Sequence, residues 1–192
     1  MNPPPFTSVR PAPWSGVVTL LSLCVLACAA HADCKPVIAA YAKADATRHF
    51  AIYEVDSFDQ VPKGEPMFIT IGDVKYTENW VRKSPLDFVK DGYTKGGAGT
   101  GFEANSLRTD EQKGKMKCTP LPDRKIAGEA AAGYHVGSAA GSNGGLEPGA
   151  YDFWVSRATG LPIIYTLDPD SGGFRYVFGN QVVAPAPGKI RN

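Results

Sequence analysis

The chain is 192 residues long, 43% hydrophobic and 20% charged, with 20 basic against 19 acidic side chains and a net charge of +1. It contains no basic stripe or run, which argues against nucleic acid as a partner. Outside one N-terminal stretch, no apolar run reaches membrane-spanning length.

Met1–Gly16 is proline-rich, and Arg10 is its only charged side chain. Val17–Ala30 follows as an apolar run of 14 residues. At about 1.5 Å per residue it falls short of a hydrocarbon core of roughly 30 Å. Ala30-His31-Ala32 then fits the small-x-small pattern of a signal cleavage site. Residues 1–32 are therefore expected to be a cleaved signal peptide, with Asp33 the first mature residue and the periplasm or the exterior the destination. A second start is open: Val25-Leu26-Ala27-Cys28 partly matches a lipobox, and a lipidated Cys28 would tether the chain to a membrane. Leu26 is large for its place in that pattern, which favours cleavage after Ala32.

Losing Arg10 with the leader leaves 19 basic and 19 acidic residues, a net charge of zero. Residues 33–180 suit a single domain, and residues 181–192 read as a flexible Pro-rich tail. Cys24 and Cys28 leave with the leader. Cys34 and Cys118 stay, an even pair in an oxidising compartment, and a disulfide between them is expected. Closing a loop of that length contributes about 4–5 kcal/mol by the chain-entropy argument.

Cys34-Lys35-Pro36 opens a helix, with Cys34, Val37, Ile38 and Tyr41 on one stripe. Asp45-Ala46-Thr47 ends it. Arg48–Val55 is the first strand. Pro66–Ile71 and Val74–Trp80 form a hairpin around the two-residue turn Gly72-Asp73. Lys75, Thr77 and Asn79 fall on the face opposite Val74 and Tyr76. Pro85–Val89 reads as a short helical turn, and Gly96–Gly101 as a flexible loop. The stretch from Glu103 to Lys117 is a short exposed helix or a strand flank. The prolines of Thr119–Pro122 confine it to an edge or a loop. Lys125–Val136 reads as strand, glycine turn, strand. Residues 137–149 form a glycine-rich tip. Tyr151–Phe178 is a three-strand meander in which Tyr151, Phe153 and Val155 share a face opposite Trp154. The expected class is mainly β: an antiparallel sheet of about 7–8 strands with an N-terminal helix packed on it. An open sheet leaves one apolar face uncovered, so it must curve under the helix or close.

No catalytic, metal or cofactor motif survives. His49 and His135 lack partner sets. Lys95–Gly101 fits neither phosphate-binding fingerprint. Asp168-Pro169-Asp170-Ser171-Gly172 lacks the closing glutamate of a calcium loop. Ser156 and Ser171 sit in no nucleophile elbow. The strand tyrosines and tryptophans serve either core packing or an apolar pocket.

Ile126–Tyr134, followed by Trp154-Val155-Ser156, Thr159-Gly160-Leu161-Pro162 and Ile163, resembles the late strands of periplasmic lipoprotein-carrier (LolA-like) proteins. The resemblance implies a half-barrel: a curved antiparallel sheet around a hydrophobic cavity, lidded by helices. Neither Arg48 nor Arg82 is matched to a carrier's cavity arginine. The expected function is non-enzymatic, with a lipid, lipoprotein or other apolar ligand on the concave face. The alternative is a structural or regulatory protein-interaction module of the cell envelope. Trp154 is expected to be buried, with the N-terminal helix or a ligand as its cover.

Overall fold

The computed structural model describes residues 33–97, 104–139, 149–167 and 172–191, all within one compact unit. The expected leader and most of both glycine-rich loops lie outside these residues, as do Asp168–Ser171. Helix α1 spans Lys35–Thr47, with Pro36 in its first turn, where a missing N–H costs nothing. It ends as Arg48 turns left-handed (φ 44°) and donates its N–H to Ala44 O. Val37, Ile38, Ala40, Tyr41 and Ala44 form its buried stripe.

The strands are β1 (His49–Val55), β2 (Phe68–Ile71), β3 (Val74–Ser84) and β4 (Asp87–Gly97), then, after helix α2 (Ala104–Gln112), β5 (Met116–Ile126), β6 (Glu129–Ser138), β7 (Gly149–Ser156), β8 (Pro162–Thr166), β9 (Gly173–Phe178) and β10 (Ile190–Arg191). They make one open ten-stranded sheet in the order β10-β4-β3-β2-β1-β9-β8-β7-β6-β5. Two meanders therefore run outward from the centre. β9 returns to pair with β1, from Phe50 opposite Phe178 to Val55 opposite Gly173. Every pairing is antiparallel except β10 with β4.

Ten strands exceed the expected seven or eight, for two physical reasons. The segment read as a helical turn and loop is β4, whose pairing with β3 runs from Gly97 to Asp87. Three glycines in β4 lower its strand propensity, and pairing supplies what propensity does not. The second reason is the C-terminal tail. Val182 is buried against Ala51, Ile69, Tyr76 and Tyr93, His49 Nε2 lies 2.9 Å from Val182 O, and β10 lines up beside β4. Gly92 permits this approach. Its φ is +81°, and a Cβ there would meet Lys189 O at 2.1 Å. The expected separate tail is thus built into the sheet edge.

Both helices lie on one face. Cys34 at the N-cap, Val37, Ile38 and Tyr41 of α1 and Leu107 of α2 pack on Phe50, Ile52, Met116, Val136, Phe153 and Tyr176. Cys34 and Cys118 form a disulfide with Cα atoms 5.2 Å apart, which ties the start of α1 to β5. Glu111 of α2 accepts the Cys34 backbone N–H at 2.7 Å, placing a carboxylate at the positive end of α1. β5 stands at the sheet edge, where Pro120 and Pro122 are tolerated because no outer strand needs their donors.

Trp154 is buried, with 5% exposed, but on the face away from the helices. Its cover is not α1. Phe58 meets it edge-on at 6.0 Å, and the Arg124 guanidinium lies 5.3 Å from its ring. Gly133 makes room: a Cβ there would meet the indole at 2.3 Å.

Candidate functional site

Between α1 and the first half of the sheet lies a cavity of about 240 Å³. Its buried lining comes from Tyr41 and Ala44 of α1, Phe50 and Ile52 of β1, Thr70 of β2 and Tyr176 of β9. Its half-buried rim holds Asp45, Phe68, Lys75 and Tyr165. Alternation builds this wall: Phe50 and Ile52 point the same way, as do Phe174, Tyr176 and Phe178. The rings then support one another. Phe50 lies 6.1 Å from Tyr176 and 5.7 Å from Phe178, and Tyr165 stacks on Phe174 at 4.8 Å.

Two of the lining tyrosines, Tyr41 and Tyr176, belong to a buried group that continues beneath the cavity to Tyr151. Tyr41 stacks on Phe153 at 4.7 Å, and its hydroxyl interacts with those of Tyr151 and Tyr176. Burial pushes all three phenols above the ordinary tyrosine range. Tyr165, nearer the rim, is pushed up to about 12 by the same cause. These hydroxyls stay neutral at any physiological pH, so the cavity carries no phenolate charge.

Lys75 is the cation of this site. Its Nζ sits 4.9 Å from the Phe68 ring centroid, and burial lowers its pKa from the usual lysine value. Alternation alone assigns Lys75 to the face opposite Val74 and Tyr76. What it does not tell is that the helices cover that face, which turns a lysine expected in water into a cavity residue.

A larger groove of about 470 Å³ lies around β8 and β9, lined partly by Glu129, Ser156, Thr159, Arg175 and Gln181. Its lining is largely polar, and Arg175 there donates to Phe58 O at 3.0 Å, which makes it a loop anchor. The smaller cavity is the better apolar site because aromatic side chains enclose it.

The other sequence candidates fall elsewhere. His49 holds the tail, and His135 Nδ1 pairs with Asp152 Oδ1 at 2.7 Å on β6 and β7. Among the described residues no cluster of three His, Cys, Asp or Glu side chains could hold a metal. Arg48 pairs with Asp73 at the first hairpin turn, and Arg82 donates to Ser84 O and Pro85 O, so neither lines the cavity.

One surface has no signal in the sequence. β2 pairs with β3 only as far as Thr77, and β10 meets β4 only at Tyr93 and Thr94. The β3–β4 hairpin therefore projects past both neighbours. Its outer part exposes Trp80, Val81 and Phe88, and Leu86 at the turn is 95% exposed.

No family model matches the chain, and no curated protein matches it. No helix among the described residues is long and apolar enough to cross a membrane.

Proposed function

We propose that this is an exported, non-enzymatic periplasmic protein that binds an apolar ligand in the cavity between α1 and a curved, half-barrel sheet. The observation that carries the reading is the cavity itself: about 240 Å³ walled by Tyr41, Phe50, Ile52, Phe68 and Tyr176. A void of that size with aromatic walls favours apolar contents over water. At roughly 30 Å³ per water-sized group it holds about eight methylene-sized units. That suits one short acyl chain better than a whole lipoprotein anchor. The resemblance to lipoprotein carriers motivates the word ligand, and cleavage after Ala32 accounts for a disulfide-bonded product. The test is solvent extraction and mass spectrometry of the protein purified from an envelope fraction. A stoichiometric lipid is the expected finding; a protein free of lipid and unable to take up an apolar dye would reject the reading.

One observation favours a second reading, an interaction module of the envelope. The projecting hairpin exposes four large apolar side chains, a patch of the kind that marks a protein contact. A photo-crosslinker at Leu86 should then trap one discrete partner in cells, and trapping none would remove this reading.

A further inference from the structure

We infer that the cavity takes a single-chain amphiphile with one negative charge, and that Lys75 at the rim binds its head group. The inference rests on the ligand-binding reading above and names the class of ligand. Lys75 stands opposite Thr70 across the β2–β3 pair, and both side chains line the cavity. Its Nζ lies over the Phe68 ring, at the boundary between the apolar lining and solvent.

Several other cations of the β1–β4 half of the sheet and its edge have anionic partners. Arg48 pairs with Asp73, Lys90 with Glu65 and Glu78, and Arg191 with Asp91. Among the described residues Lys75 makes no ion pair. Burial lowers its pKa, and no neighbouring carboxylate offsets the effect. A half-desolvated ammonium without an anion gains more from an incoming carboxylate than a hydrated surface lysine does.

The rest of the rim limits the head group. Lys75 is the one cationic side chain among the described residues lining the cavity, so a second negative charge would find no partner there. The ligand thus places a short alkyl chain against Phe50, Ile52 and Tyr176 and one carboxylate-like charge on Lys75.

Decanoate, methyl decanoate and decyl phosphate test this by titration calorimetry on the purified protein. Decanoate should bind about tenfold more tightly than its ester, the size of one charge-assisted hydrogen bond. Decyl phosphate should bind no more tightly than decanoate. Lys75→Met should erase the preference for acid over ester while ester binding persists, and Lys75→Arg should keep it. Equal affinities for acid and ester, or a preference that survives in Lys75→Met, would overturn the inference and leave an apolar site standing. Tighter decyl phosphate would overturn the single-charge assignment. Failure of both acid and ester to bind would reject the ligand-binding reading, and this inference with it.

Discussion

Replacing Trp154 by alanine removes the largest side chain of the core on the face away from the helices. Truncating a buried aromatic costs about 3–5 kcal/mol. Trp154 also loses its edge-on contact with Phe58 and its place beside the Arg124 guanidinium, each contributing about 0.5–1.5 kcal/mol where well formed. Against this, its indole N–H is buried with no hydrogen-bond partner among the described residues. Removing an unpaired buried donor returns about 1–3 kcal/mol. The two added contacts and the returned donor penalty are of similar size, so the expected net loss for Trp154→Ala is about 4 kcal/mol. Trp154→Phe keeps a ring and drops the N–H, so it should lose less than about 1.5 kcal/mol. Urea denaturation of the wild type and both variants gives the comparison. A loss below about 1 kcal/mol for Trp154→Ala, with an unchanged circular-dichroism spectrum, would refute the packing described for this face.

Reducing the Cys34–Cys118 bridge, or replacing both cysteines by alanine, should cost about 4–5 kcal/mol in the same assay, because an 84-residue separation no longer constrains the unfolded chain. Gly92→Ala should free the C-terminal strand while the rest of the sheet stays folded, because the new Cβ would strike Lys189 O; faster amide exchange at Ile190 and Arg191 reports it. The cavity tyrosines give a pH prediction. Their folded pKa values lie above the unfolded value of about 10, so their contribution is complete below that pH and is lost as pH rises through the folded values. Tyrosinate absorbance for these residues should therefore develop together with unfolding above about pH 10, and titration within a still-folded protein would contradict their burial.

The parts of the fold that sequence made legible are those where local chemistry and final structure agree. Gly72-Asp73 supplies the positive φ that a two-residue turn needs, and the hairpin forms there with Ile71 opposite Val74. The meander from Tyr151 to Phe178 was legible from its aromatic and β-branched runs and the turns between them, although β7 and β8 bury residues on both faces. The α1 stripe and the Cys34–Cys118 pair were equally plain. β4 was hidden because Gly92, Gly96 and Gly97 interrupt its pattern, and a partner strand overrides that weakness. The tail was hidden because its prolines read as solvent-exposed, whereas Val182 and Ile190 pack against the core and β10 pairs with β4. Lys75 was legible as a strand residue and illegible as a cavity residue. Its role depends on which face the helices cover, and α1 and β3 are neighbours only in three dimensions.

The central claim is that the space beneath α1 is a ligand site, and filling it is the most direct test. Ala44 is buried on α1 and lines the cavity, so Ala44→Phe places a ring into the space itself. Binding of decanoate, or of an apolar fluorescent probe, should fall at least about tenfold in this variant while the denaturation midpoint holds. Unchanged binding by a folded Ala44→Phe protein would contradict the account.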